Sequence, residues 1–286
     1  MSFLEAVFSH NLILFALLGS FLASIVSGTV GSYVVVKRIS FLAGSISHSV
    51  LGGIGVALWL QKRHDVEWMT PLIGALIAAI ISAILIGFIR VKFREREDSV
   101  IGALWTVGMA LGVLFISATP GFNVELTNFL IGNLLWVTPE DLWILVSLNV
   151  LALLLIIPLH KKLLALCFDE EQAKLQGVAV QPLYLLLLVL IAISVVLLTQ
   201  VVGVLLVLTM LTIPAAIGNL FTRRLSIMMA LAMLLSCFFS FSGMWIAYDF
   251  DLPPGATIAL ITGLAYGILL ILKKPLLKLT QVTSQS

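Results

Sequence analysis

Long apolar runs alternate with short polar punctuation along the whole chain. Runs of membrane-crossing length, about 20 residues, fall near 11–36, 41–60, 71–89, 100–118, 140–159, 182–200, 203–221, 225–247 and 256–272. The pattern predicts nine transmembrane helices. Eight is the alternative, because 182–200 and 203–221 are parted only by "QVVG". A tenth apolar stretch, "LTNFLIGNLLWV" (126–137), is too short to cross and reads as a short surface helix. A span in lipid must satisfy its own backbone, so the fold is expected to be all-α.

Composition agrees. Of 286 residues, 61% are hydrophobic and 10% charged, against roughly a quarter charged in soluble domains. The chain reads as a polytopic membrane protein with one transmembrane domain, 1–286, and no soluble domain. Fourteen of its sixteen Lys and Arg fall in alternate loops; only Lys62 and Arg63 lie on the other side. The positive-inside rule then predicts an external N-terminus and a cytoplasmic C-terminus. It makes 161–181 a cytoplasmic loop and places 126–137 and "YDFDLPPG" (248–255) outside. "MSFLEAVFSHNLILF" has no basic region before its apolar run and does not read as a signal peptide. Cys167 and Cys237 have no CxxC partner and read as apolar packing. No phosphate loop, HExxH, nucleophile elbow or paired intramembrane carboxylates occur. An enzyme has little to stand on; a channel or carrier in a lipid bilayer, with no nucleic-acid partner, fits.

Four segments carry chemistry. In "FLAGSISHSVLGGIG", His48 lies roughly 12 Å into its span at 1.5 Å per residue, on a face with Gly44, Ser45, Gly52 and Gly55. Two readings stay open. An intramembrane imidazole is a candidate metal ligand facing a cavity; small-residue faces also pack helices, and His48 would then hydrogen-bond a backbone carbonyl. In "CFDEEQAKLQGVAVQP" (167–182), Asp169 can cap a short helix with Glu170 and Glu171 in its first turn, and Gly177 can end it. The segment is a solvated connector or a docking element for a cytoplasmic partner. In "TQVVGVLLVLTMLTIPAAIGNLFTRR", Pro214 sits mid-span and predicts a structural kink among small residues. In "DFDLPPGATI", Asp249 and Asp251 flank an external turn; they attract cations at an entrance, contact a soluble partner, or simply belong to the turn.

Taken in order, these segments resemble one family. "GSYVVVKRISFLAGSISHSVLGGIG", "NFLIGNLLW", "FDEEQAKLQGV", "VVGVLLVLTMLTIPAA" and "LPPGATI" are similar to stretches of the integral-membrane permeases of metal-ion ABC importers, the ZnuB/MntB-like zinc, manganese and iron permeases. Each motif is weak alone; five in order are specific.

The resemblance implies a homodimer with a pore on its axis and a fold like the vitamin B12-type importers. It implies a separate cytoplasmic ATPase dimer that uses the ATP, and an external or periplasmic solute-binding protein that delivers the metal. The chain itself would be no enzyme and would hold no cofactor. It would sit in the plasma (inner) membrane and translocate a divalent metal, zinc or manganese foremost. Residues 169–177 would be the coupling helix, with Asp169, Glu170, Glu171, Ala173 and Gly177 as its marks, and 126–137 would lie by the external gate. The family commonly carries Asp four residues before the Ser-His histidine, where this chain has Gly44. His48 is then a lone nitrogen ligand per subunit. That suits zinc or a weak transit site better than a tight manganese site, since manganese prefers oxygen. A secondary carrier driven by an ion gradient, or a permease for a metal chelate, are the alternatives. The former would call for intramembrane carboxylates, which the spans lack.

Overall fold

The structure, a computed structural model, describes residues 3–93, 97–119, 134 and 137–283. Its helices are α1 (Phe3–Ser9), α2 (Asn11–Val36), α3 (Ser40–His64), α4 (Pro71–Phe93), α5 (Glu97–Ser117), α6 (Pro139–Phe168), α7 (Glu170–Leu175), α8 (Val180–Val202), α9 (Val204–Phe221), α10 (Leu225–Asp249) and α11 (Pro254–Thr283). Among the described residues nine helices are long and apolar enough to cross a membrane, and they coincide with the nine runs of the sequence. No strand occurs among the described residues. Gly203 parts α8 from α9: with φ 83° it is the C-cap of one helix and the N-cap of the next. That backbone suits a residue without Cβ, and it makes the close pair two spans rather than one.

Three features depart from the sequence pattern. Helix α1 has no counterpart in it; Phe3 packs among Phe241, Trp245 and Tyr248, with ring centroids 5.6–5.9 Å away. Helix α6 starts from a capping box between Thr138 and Asp141 and continues to Phe168, past the expected end at 159. Lys161 and Lys162 are exposed there, so the apolar run ends before the helix does. The short helix expected at 126–137 lies outside the described residues, except for Leu134 and Val137, both buried.

Two helices act as hubs. Over its most apolar 18 residues α3 is 78% buried, and it packs between α4 and α5. On the same measure α2 is 61% buried and packs against α6, α9 and α10, while α8, 67% buried, touches both halves. The apolar stretches of the outer helices α5 and α11 are only 22% buried. Small residues set this order, because without a hydrophobic drive inside lipid, close backbone approach supplies the packing energy. A Cβ on Gly52 would stand 2.9 Å from the Gly108 carbonyl, and one on Gly55 2.8 Å from that of Gly112. Gly53 and Gly74 meet backbone to backbone across α3 and α4. The polar side chains of α2 stay satisfied locally: Ser20, Ser24, Ser27 and Ser32 each donate to the carbonyl four residues earlier.

Candidate functional site

His48 lies in the first third of α3, half-buried. The small face predicted around it divides into two. Ser45 donates to the Ile101 carbonyl at 2.7 Å, Ser49 meets Ser82 at 3.1 Å, and Gly52 and Gly55 press on α5. Those residues fasten α3 to its neighbours. Gly44 and His48 instead border one side chain, Trp105 of α5. The imidazole stacks on the indole with centroids 4.3 Å apart and planes 13° apart. A Cβ on Gly44 would touch Trp105 Cζ3 at 3.4 Å. Among the described residues His48 makes no hydrogen bond to a carbonyl, so the helix-tethering geometry is not adopted. Among the same residues no group of three His, Cys, Asp or Glu could hold a metal. Sequence reasoning missed Trp105; its signal was the one tryptophan in a small-residue span.

The second region lies where α6 ends. Asp169 closes α6 and opens α7, accepting hydrogen bonds from the amides of Glu171 (2.9 Å) and Gln172 (3.0 Å). Gly177, at φ 77°, ends the turn as the Gly177 and Val178 amides donate to Lys174 and Ala173 carbonyls. Ala173 is fully buried beneath the helix. The two acids of the first turn part company. Glu171 is exposed with Lys174 and Leu175. Glu170 turns inward, where Lys37 Nζ (2.5 Å) and Arg90 Nη2 (2.6 Å) share its Oε1. Lys37 also donates to the Leu166 carbonyl at 2.8 Å, and the Arg90 guanidinium lies 4.0 Å above the Tyr184 ring. One carboxylate thus ties α7 to the ends of α2 and α4. Burial pulls the Glu170 carboxyl up, but hydrogen bonds and charge from Lys37 and Arg90 outweigh it and hold it below the usual carboxylate value. The sequence showed these cations only as positive-inside charges. What it could have revealed was their shared place, each at the same end of a span.

Pro214 is buried within α9, which continues through it. Three residues earlier, Gly31 of α2 packs directly on the Leu211 carbonyl. Asp249, the last residue of α10, is exposed and accepts from Trp245 Nε1 at 3.0 Å. Asp251 adopts φ 53° in the exposed turn, and Leu252 N donates to the Ala247 carbonyl. Asp249 ends α10 and Asp251 lies in the turn that follows it, on a different element from His48.

Residues 9–273 match the family described as the ABC 3 transport family. A "Probable metal transport system membrane protein" of Chlamydia pneumoniae is 46% identical over 95% of this chain and 94% of its own length. The "Manganese transport system membrane protein MntC" of Halalkalibacterium halodurans is 32% identical, covering 93% of this chain and 89% of its own. Among solved structures, PsaBC from Streptococcus pneumoniae in complex with Fab superposes with a TM-score of 0.81 at 29% identity over 93% of each chain. A metal-chelate type ABC transporter in an inward-facing conformation shares the fold, with a TM-score of 0.68 at 20% identity over 93% of this chain and 88% of its own.

Proposed function

The chain belongs to the ABC 3 transport family, and we propose that it is the membrane-spanning permease of an ATP-binding-cassette importer carrying a divalent transition metal ion, manganese or zinc, into the cytoplasm. The observation that carries this reading is the family match over 9–273, across a bundle of nine candidate membrane helices. The manganese transport names of relatives 31–32% identical favour a metal ion as cargo.

In this reading two copies pair around a pore, a separate ATPase dimer docks below, and a solute-binding protein delivers metal from outside. The end bearing Lys37, Arg90 and Glu170 faces the cytoplasm, as the basic loops predict. Helix α7 is the docking element: Glu170 and Ala173 hold it to the bundle, and Glu171, Lys174 and the 89% exposed Leu175 face the partner. His48 is a transit ligand, one imidazole nitrogen per subunit, weak enough for the ion to leave. Asp249 and Asp251 stand at the external side, where their charge raises the local concentration of cations.

The test is uptake of Mn2+ and Zn2+ into vesicles holding the permease with its ATPase and binding protein. Uptake is expected to require ATP and the ATPase, and His48→Ala to impair it while the ATPase still co-purifies. Uptake by the permease alone, following a proton gradient, would identify a secondary carrier instead.

A further inference from the structure

Trp105 is held on three sides. Its Nε1 donates to Met109 Sδ at 3.2 Å, Phe41 lies 5.5 Å away, and His48 stacks on its face at 4.3 Å. A ring fixed in this way fixes the ring stacked on it. The His48 nitrogens make no hydrogen bond to a protein group among the described residues. The same indole covers Gly44, with Cζ3 3.4 Å from where a Cβ would stand and Leu208 Cδ2 at 3.8 Å. A side chain at position 44 would therefore share its space with the indole.

We infer that Trp105 is the specificity-determining residue of the His48 site. It holds the imidazole, the one nitrogen-donor side chain it touches among the described residues, and borders the space over Gly44 one helical turn away, where a carboxylate would supply oxygen. The site therefore favours a nitrogen-accepting ion such as zinc over an oxygen-preferring one such as manganese. This rests on the transport reading above. Stacking of this kind contributes about three- to tenfold in binding.

Two measurements test it. Co2+ titrated into the purified chain should quench one component of the tryptophan fluorescence, and both His48→Ala and Trp105→Phe should remove that component. Equal quenching in all three proteins overturns the inference. In the permease–ATPase complex, the concentrations of Zn2+ and Mn2+ that half-stimulate ATP hydrolysis give the selectivity. Trp105→Ala should weaken the response to Zn2+ about three- to tenfold, with no further loss when His48→Ala is already present. Gly44→Asp with Trp105→Ala should shift preference toward Mn2+. Loss of both metal responses together, independent of His48, would mark Trp105 as mere packing and overturn the inference; Trp105→Phe, which keeps an aromatic ring, guards against misfolding. His48-dependent quenching without any metal uptake would instead overturn the transport reading and leave the site standing.

Discussion

The α3–α4–α5 unit and the α7 end solve the same task by opposite means. The first joins helices by leaving side chains out: Gly52 to Gly108, Gly55 to Gly112, Gly53 to Gly74. The second joins them by placing one carboxylate, Glu170, between Lys37 and Arg90. The difference follows from the solvent. Deep in lipid a charge is costly and close van der Waals contact is the available glue. At the membrane edge water screens the ions enough for a three-charge contact to form, yet not enough to make it negligible. The glycine joint is rigid and has no titrating part. The carboxylate joint can be loosened by a proton, which would suit the docking role proposed for α7.

The glycine joint should be the harder to alter. At Gly53 an added Cβ has the Gly74 backbone in its way, and backbone cannot swing aside like a flexible side chain. Gly53→Leu is expected to destabilise by about 3 kcal/mol or more, at the upper end of overpacking effects. Size-exclusion of heated detergent samples would read this as early aggregation. A variant as heat-resistant as the parent would mean that α3 and α4 do not touch as described.

Glu170→Gln tests the other joint. It leaves Lys37 and Arg90 facing a neutral group at a site about a quarter exposed. The expected cost is about 1–2 kcal/mol, confined to the α7 end and reduced by solvent screening. The carboxyl is held below its ordinary value of 4.5. Its contribution is therefore fully present above that value and fades as pH falls through the lower, folded one. Protection of the 170–178 amides, taken relative to their intrinsic exchange rates, should fall in the parent as pH drops below the usual carboxylate range and change little in Glu170→Gln. Equal pH dependence in both would break the assignment of the latch to Glu170.

How much of this was legible beforehand depends on the kind of interaction. All nine spans were, because a 20-residue apolar run has few alternatives in lipid. The caps at Asp169 and Gly177 were, because capping is local. Long-range partners were not. Nothing in the sequence joins Glu170 to Lys37 and Arg90, 133 and 80 positions away, or His48 to Trp105. The predicted small face around His48 was real, but which half packs and which half borders an aromatic is decided by the rotation of α5. Helix α1 escaped notice because its burial rests on Phe3 and the aromatic side chains of α10.

A smaller effect separates the cap of α7 from its latch. Asp169→Ala removes two hydrogen bonds to the Glu171 and Gln172 amides, worth about 1 kcal/mol. Asp169→Asn, which retains an accepting oxygen, should recover most of it. Protease cleavage near 169–177 would report the ranking: Glu170→Gln opened most, Asp169→Ala less, Asp169→Asn near the parent. If Asp169→Ala opened the segment more than Glu170→Gln, the cap rather than the ion trio would be the main tie.

The smallest effect is expected at Gly44, and it sharpens the contrast within α3 itself. Gly44 and Gly53 are two glycines of one helix, the first buried and the second half-buried. A methyl at Gly53 meets backbone, whereas at Gly44 its nearest neighbours are the Trp105 ring at 3.4 Å and Leu208 at 3.8 Å, both ordinary contacts. Alanine is also favoured over glycine in a helix interior by roughly 0.5–1 kcal/mol. Gly44→Ala should therefore leave thermal stability unchanged or slightly raised, where Gly53→Ala lowers it. A marked loss at Gly44 would show that α5 lies closer to α3 than the stacked His48–Trp105 pair allows.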